Sequence, residues 1–236
     1  MPNALASYQA GRLSEAIEAL GVGLREDPAN VRQRTFLFEL LCFAGEFDRA
    51  EKQLAVIADV SHEAEMGAML YRSALHAERT RQEMFRAGAL PQGPLPRTTL
   101  HGSLNGRPFE SIADVDPRIG ARLEIFAAGQ FTWLPFEHLS ALTIEEPRRL
   151  RDLLWLPARL QAGPRVQDFD FGEVLIPVLY PLSWQDPDDL VRLGRITDWQ
   201  ERPDGPALPI GQRLLQVDDD FIPILELRTL EIACED

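Results

Sequence analysis

Residues 10–20, AGRLSEAIEAL, return as residues 44–54, AGEFDRAEKQL. Ala10 aligns with Ala44, Gly11 with Gly45, Leu13 with Phe47, Ala16 with Ala50 and Leu20 with Leu54. Each pair is 34 residues apart, the period of the tetratricopeptide repeat. A chain with this repeat is committed to stacked antiparallel helical hairpins. The small Ala16 and Ala50 let two helices approach closely, and Gly11 and Gly45 suit the turn between helices, where a left-handed backbone is cheap only for glycine. Pro28 ends the first unit, and Asn30 with Gln33 reads as a capping box opening the next helix. The first helix is short and lacks an early aromatic, so the first repeat reads as truncated.

The repeat then stops, because the next unit would need Ala-Gly where Glu78 and Arg79 stand. Residues 61–87 read instead as one long helix, capped by Ser61 and with Glu63 and Glu65 in its first turn. Two repeats are too few for a free-standing solenoid, so this helix is expected to cap them and the second half to cover another face. Residues 88–98, GALPQGPLPRT, hold three prolines and two glycines and read as a linker. Beyond it come short strand-like runs: ARLEIFA, FTWLPF, ALTIE, LLWLPARLQ, GEVLIPVLY, QRLLQV and FIPILELRTLEIA. AAGQ and the acidic run at 218–220 read as turns, and 136–139, 147–152 and 188–193 as short helical pieces. The expected fold is α+β. TPR-like hairpins over 1–87 pack with a β-rich domain containing short helices over 99–236.

The net charge of −13 argues against nucleic acid as the main partner, since phosphate binding needs clustered positive charge. No apolar run reaches the ~18 residues of a membrane span. The opening segment has no basic start and no apolar signal core, and the two cysteines, Cys42 and Cys234, fit a reducing compartment. The expected location is the cytoplasm.

Catalytic signatures are missing. There is no G-x-x-x-x-G-K-[ST] and no G-x-G-x-x-G, and HGSLNG at 101–106 lacks the nucleophile elbow and reads as a glycine-rich turn. His62, His76, His101 and His138 show no metal spacing, and no C-x-x-C occurs. DVDPRIG at 114–120 fails as a calcium loop for want of a glutamate at loop position 12. No cofactor, metal site or catalytic residue is assigned.

The run EEPRRLRDLLWLPARL at 145–160 concentrates charge, leucine and tryptophan. Pro147 after two acids reads as a helix start. The following run reads as a strand with Trp155 in the core, and an exposed Trp155 anchoring a peptide is the alternative.

Read together, LHGSLNGRPFESIADVDPRIGARLE, FTWLPFEHLSALTIEEPRRLRDLLWLPARL, IPVLYPLSW, LVRLGRITDW and GQRLLQV resemble the ImpE/TagJ family, also called SciE-type, over nearly the whole chain. The residues carrying the resemblance are Pro147, Leu150, Arg151, Asp152, Leu153, Trp155, Pro157, Ala158 and Arg159. Leu193, Gly194, Arg195, Thr197, Asp198 and Trp199 follow. The resemblance implies a non-enzymatic cytoplasmic accessory protein of bacterial type VI secretion. It also implies association with the N-terminal helix of the small contractile-sheath subunit and, through it, with the ATPase that recycles the sheath. The helical repeats are the expected docking place, with Phe38, Leu41, Tyr71 and Arg72 as candidate contacts, and an acidic groove there would suit a basic helix. An ion pair, Arg151 with Asp198 or Arg195 with Asp152, is expected within the second half. Two other readings stay open: a general TPR-like module with another bacterial partner, and an enzyme with its site in the β-rich half.

Overall fold

The computed structural model describes residues 2–90, 96–166, 171–203 and 205–233. Cys234 and the middle of the expected linker lie outside them.

Five helices open the chain: α1 (Pro2–Gln9), α2 (Leu13–Glu26), α3 (Val31–Phe43), α4 (Phe47–Ala58) and α5 (His62–Ala87). The repeat governs their geometry. Gly11 and Gly45 have φ of 77° and 71° in the turns of the two hairpins, and Ala16 and Ala50 are fully buried. Asn30 caps α3 by accepting the Gln33 N–H at 3.1 Å. The reciprocal half of the capping box is missing, because the Asn30 N–H goes to the Asp27 carbonyl. Ser61 caps α5 through the Ala64 N–H at 3.1 Å, and Gly88, at φ 65°, ends it.

The second half is an antiparallel sheet of ten strands in the order β11-β10-β2-β1-β12-β5-β6-β7-β3-β4. The strands are β1 (Thr99–Leu104), β2 (Arg107–Asp114), β3 (Arg122–Ala127), β4 (Gln130–Pro135), β5 (Leu139–Ile144), β6 (Trp155–Ala162), β7 (Gly172–Pro177), β10 (Leu214–Val217), β11 (Asp220–Pro223) and β12 (Thr229–Ile232). A separate ribbon pairs β8 (Thr197–Arg202) with β9 (Gly205–Gly211), preceded by the short helix α6 (Asp189–Arg192).

Several expectations are corrected. HGSLNG is the end of β1 and a two-residue hairpin turn into β2. Asn105 and Gly106 take φ of 51° and 77°, the positive pair that such a turn requires. Ala128 and Gly129 repeat the device between β3 and β4. Pro147 does not begin a helix; a 3-10 turn covers Leu150–Leu153 instead. The run at 221–233 is two strands split by a 3-10 turn at Ile224–Glu226.

The sheet curls. Five strands lie between β2 and β3 in its order, yet Arg213 reaches both. It donates to Asp114 of β2 at 2.6 and 3.0 Å and lies 3.5 Å from Glu124 of β3. One apolar core fills the curl. A second core joins the helices to Phe126, Leu154, Trp155 and Leu193 of the β-rich half.

Candidate functional site

The two halves are locked together by side chains from the two densest sequence motifs. At the first helical hairpin, Asp189 takes the place of a local cap for α2, whose own preceding residue Arg12 makes no capping bond. Its carboxylate accepts the N–H groups of Leu13 at 2.7 Å and Ser14 at 3.3 Å. Arg195 serves the other helix end, donating to the carbonyls of Tyr8 and Gln9 at the close of α1 and lying over the Tyr8 ring. Gly11 lies between these two caps. The left-handed backbone there demands glycine, and a Cβ would sit 2.5 Å from the end of the Leu190 side chain, which would have to shift. At the second hairpin, a Cβ on Gly45 would sit 2.4 Å from the Trp184 ring. The β-rich half therefore seats on both repeat turns.

Trp155 makes the central contact. Its indole N–H donates to Glu78 of α5 at 3.0 Å, and its ring lies 6.4 Å from that of Phe38. Glu78 also accepts from Arg81 at 3.1 Å and Gln82 at 2.6 Å. Arg81 in turn donates to both oxygens of Glu124, at 3.1 and 2.7 Å, and to the Leu179 carbonyl at 2.9 Å. Trp133 adds a third donor to Glu124 at 3.0 Å. Burial alone raises the Glu124 carboxyl, but the guanidiniums of Arg81 and Arg213 overcome it and hold the group below its usual range. Glu124, Arg81 and Arg213 are sealed from solvent, so this network binds α5 to the curl of the sheet rather than facing a ligand.

The predicted residues fall into three groups. Phe38 and Leu41, expected to meet a partner, are 1% and 0% exposed. They belong to the shared core, which fills that face of the helices with the chain's own side chains. The motif residues Leu150, Leu153, Trp155 and Leu193 join that core, whereas the residues alone placed Trp155 inside the second half. Ala158 is buried, Arg159 pairs with Glu173 at 3.2 Å on the surface, and Gly194 (φ 64°) backs onto Leu179. Thr197 donates to the Gln212 carbonyl at 2.7 Å, and Asp198 accepts the Trp199 N–H at 2.8 Å. Trp199 stands 45% exposed on the ribbon. Neither expected ion pair forms. Arg151 lies over the Tyr71 ring, 4.6 Å from its centroid, Asp152 accepts the N–H groups of Arg148 and Arg149 at 2.9 Å, and Arg195 is on α1.

The third group lines an open cleft of about 640 Å³ between α5 and the sheet. Leu70, Tyr71 and Ser73 form the helical wall, and Arg148, Arg149, Arg151 and Pro157 stand opposite. Tyr71 is half-buried here, and its hydroxyl is pushed up to about 12 by burial. Arg72, its neighbour on α5, does not line the cleft. Behind the cleft sits Glu39 of α3, pushed up to about 7 by burial and by the Asp152 carboxylate against the pull of Arg149. The cleft carries three arginines beside Asp152 and Glu173, so it is not an acidic groove of the kind that would suit a basic helix. Among the described residues, no group of three or more His, Cys, Asp and Glu is placed to hold a metal ion, and no helix is long and apolar enough to cross a membrane.

Comparison with known proteins agrees with this architecture. The model of the ImpE protein family matches residues 106–231, more than half of the chain. The chain belongs to the ImpE family. A tetratricopeptide-repeat model matches residues 7–73 of this ImpE-family chain. It is 31% identical, over 97% of its length and 90% of the relative's, to the type VI secretion system accessory component TagJ of Pseudomonas aeruginosa. Its fold matches the crystal structure of a Vibrio parahaemolyticus protein with a TM-score of 0.85 at 22% identity, covering 98% of each chain.

Proposed function

We propose that this chain is a non-enzymatic, cytoplasmic accessory component of a type VI secretion system. It binds the N-terminal helix of the small sheath subunit and through it reaches the ATPase that recycles the sheath. The observation that carries this reading is the 31% identity to TagJ along nearly the entire chain, helical repeats and curled sheet together. The architecture is in keeping with it. The most strongly coupled ionisable groups are committed to a sealed network that joins the two halves. The open cleft presents apolar and guanidinium groups, the chemistry of peptide recognition.

The test is calorimetric titration of the full chain with a peptide spanning the first helix of the small sheath subunit from the same secretion cluster. Saturable one-to-one binding is expected. No binding, or equal binding of an unrelated helix of the same composition, overturns the reading. Deleting residues 1–87 is a poor substitute, because it would expose Trp155, Leu154 and Leu193, which share their core with the helices.

A further inference from the structure

The first half of α5 carries an apolar ridge that, among the described residues, nothing covers. Met66, Met69 and Leu70 are 58%, 55% and 59% exposed and occupy positions i, i+3 and i+4, so they form one stripe. Ala68 on the opposite side is buried, so the helix is held from behind and offers its front. The stripe runs through Leu70 into the cleft, where the arginines begin.

In a chain of net charge −13, the cleft concentrates cations. Its own acids are engaged: Asp152 with two backbone N–H groups, and Glu173 with Arg159. Among the described residues, Arg149 and Arg151 have no carboxylate within ion-pair distance; Arg148 has only Glu145, at 3.4 Å with both side chains about four-fifths exposed. The Tyr71 ring under Arg151 fixes its guanidinium at the wall. At the far end of the ridge, Glu63 and Glu65 reverse the sign.

We propose that this ridge and cleft seat an amphipathic helix whose apolar stripe covers Met66, Met69 and Leu70 and whose acidic residues, gathered at one end, meet Arg148, Arg149 and Arg151. Methionines suit such a surface because their flexible thioethers adapt to the side chains laid on them. The charge pattern sets the direction of the bound helix: the opposite orientation brings its acids against Glu63 and Glu65. This rests on the functional reading above in holding that the chain docks a helix; the place and the chemistry are new.

The test uses the full chain and two designed helical peptides with the same leucine stripe, one carrying glutamates at one end and the other lysines. Fluorescence anisotropy should show the glutamate peptide binding about ten-fold or more tightly than the lysine peptide, and weakening as salt rises. Arg148→Glu with Arg149→Glu should lower its affinity about ten-fold or more, and so should Met69→Asp. All three side chains are exposed, so the thermal melts of the variants should stay close to that of the parent. Equal binding of the lysine peptide, failure of both peptides to bind, or indifference to these substitutions overturns the proposal. The sheath-subunit peptide separates the two claims. If it binds the parent and the double arginine variant equally, the functional reading stands and this site falls. If the glutamate peptide binds and the sheath peptide does not, the site stands and the functional reading falls.

Discussion

The indole of Trp155, the first residue of β6, donates its N–H to the buried carboxylate of Glu78 on α5, 77 residues earlier in the chain. The clearest motif of the second half is therefore an attachment to the first. Its neighbour Arg151 lies on Tyr71 of the same helix, and the motif around Leu193 and Arg195 holds the first repeat in the same way.

Trp155→Phe keeps an aromatic ring in the shared core and removes one donor from Glu78. The cost is expected to be about 1–3 kcal/mol, that of an undersatisfied buried acceptor. Urea unfolding followed by far-UV circular dichroism measures it, and an unchanged midpoint contradicts the assignment.

Arg81→Met takes the guanidinium they share from two buried carboxylates, Glu78 and Glu124, leaving Glu124 only the longer 3.5 Å approach of Arg213 as a cation. It should destabilise the chain by about 3–5 kcal/mol, while the double substitution Arg81→Met with Glu124→Met should cost less than the sum of its parts. A double-mutant cycle in denaturant checks this.

Asp189→Ala removes the distant cap of α2. A loss of about 1 kcal/mol is expected, the usual worth of an N-cap. Faster amide exchange should appear at Leu13 and Ser14, and α4 should be unaffected. Acceleration spread over all the helices would mean that Asp189 has a different role.

Glu39 gives a pH signature. Its carboxyl titrates near 7 in the folded chain, above the unfolded value, so the folded state holds the proton more tightly. The contribution of Glu39 to stability is therefore greatest below about pH 4 and is lost as pH rises to 7, where the buried group ionises. Glu39→Gln has no proton to lose. Relative to the parent, it should gain stability between pH 5 and pH 8, on the order of 2 kcal/mol. Guanidine melts of both proteins at the two pH values test it, and a difference that stays flat with pH contradicts it.

The helical half was legible because its period, its turn glycines and its caps are local requirements. Gly11, Gly45 and Ser61 do what their neighbours in sequence demand. The Asn105–Gly106 hairpin was equally local, but Gly102 and Ser103 on the same strand disguised it as a loop. Gly102 stands where a Cβ would meet the Glu231 backbone at 2.1 Å, a constraint imposed by β12 more than a hundred residues away. The ion pairs failed for the same reason. Opposite charges in two motifs say nothing about register, and Arg151 and Arg195 both reach back to the helices instead of to each other's motifs. Phe38 and Leu41 looked like a free groove because sequence cannot show that Trp155 and Leu154 fill it. The exposed stripe of Met66, Met69 and Leu70 had a signal, since apolar residues at helical spacing run beside Ala64 and Ala68, but only the packing tells which side is covered.

The most direct measurement is amide hydrogen exchange of the full chain with and without its cognate small sheath subunit. Slowed exchange is expected at residues 62–74 of α5 and at residues 148–151, with the buried face of α3 unchanged. No slowing anywhere, or slowing confined to the ribbon carrying Trp199, would contradict it.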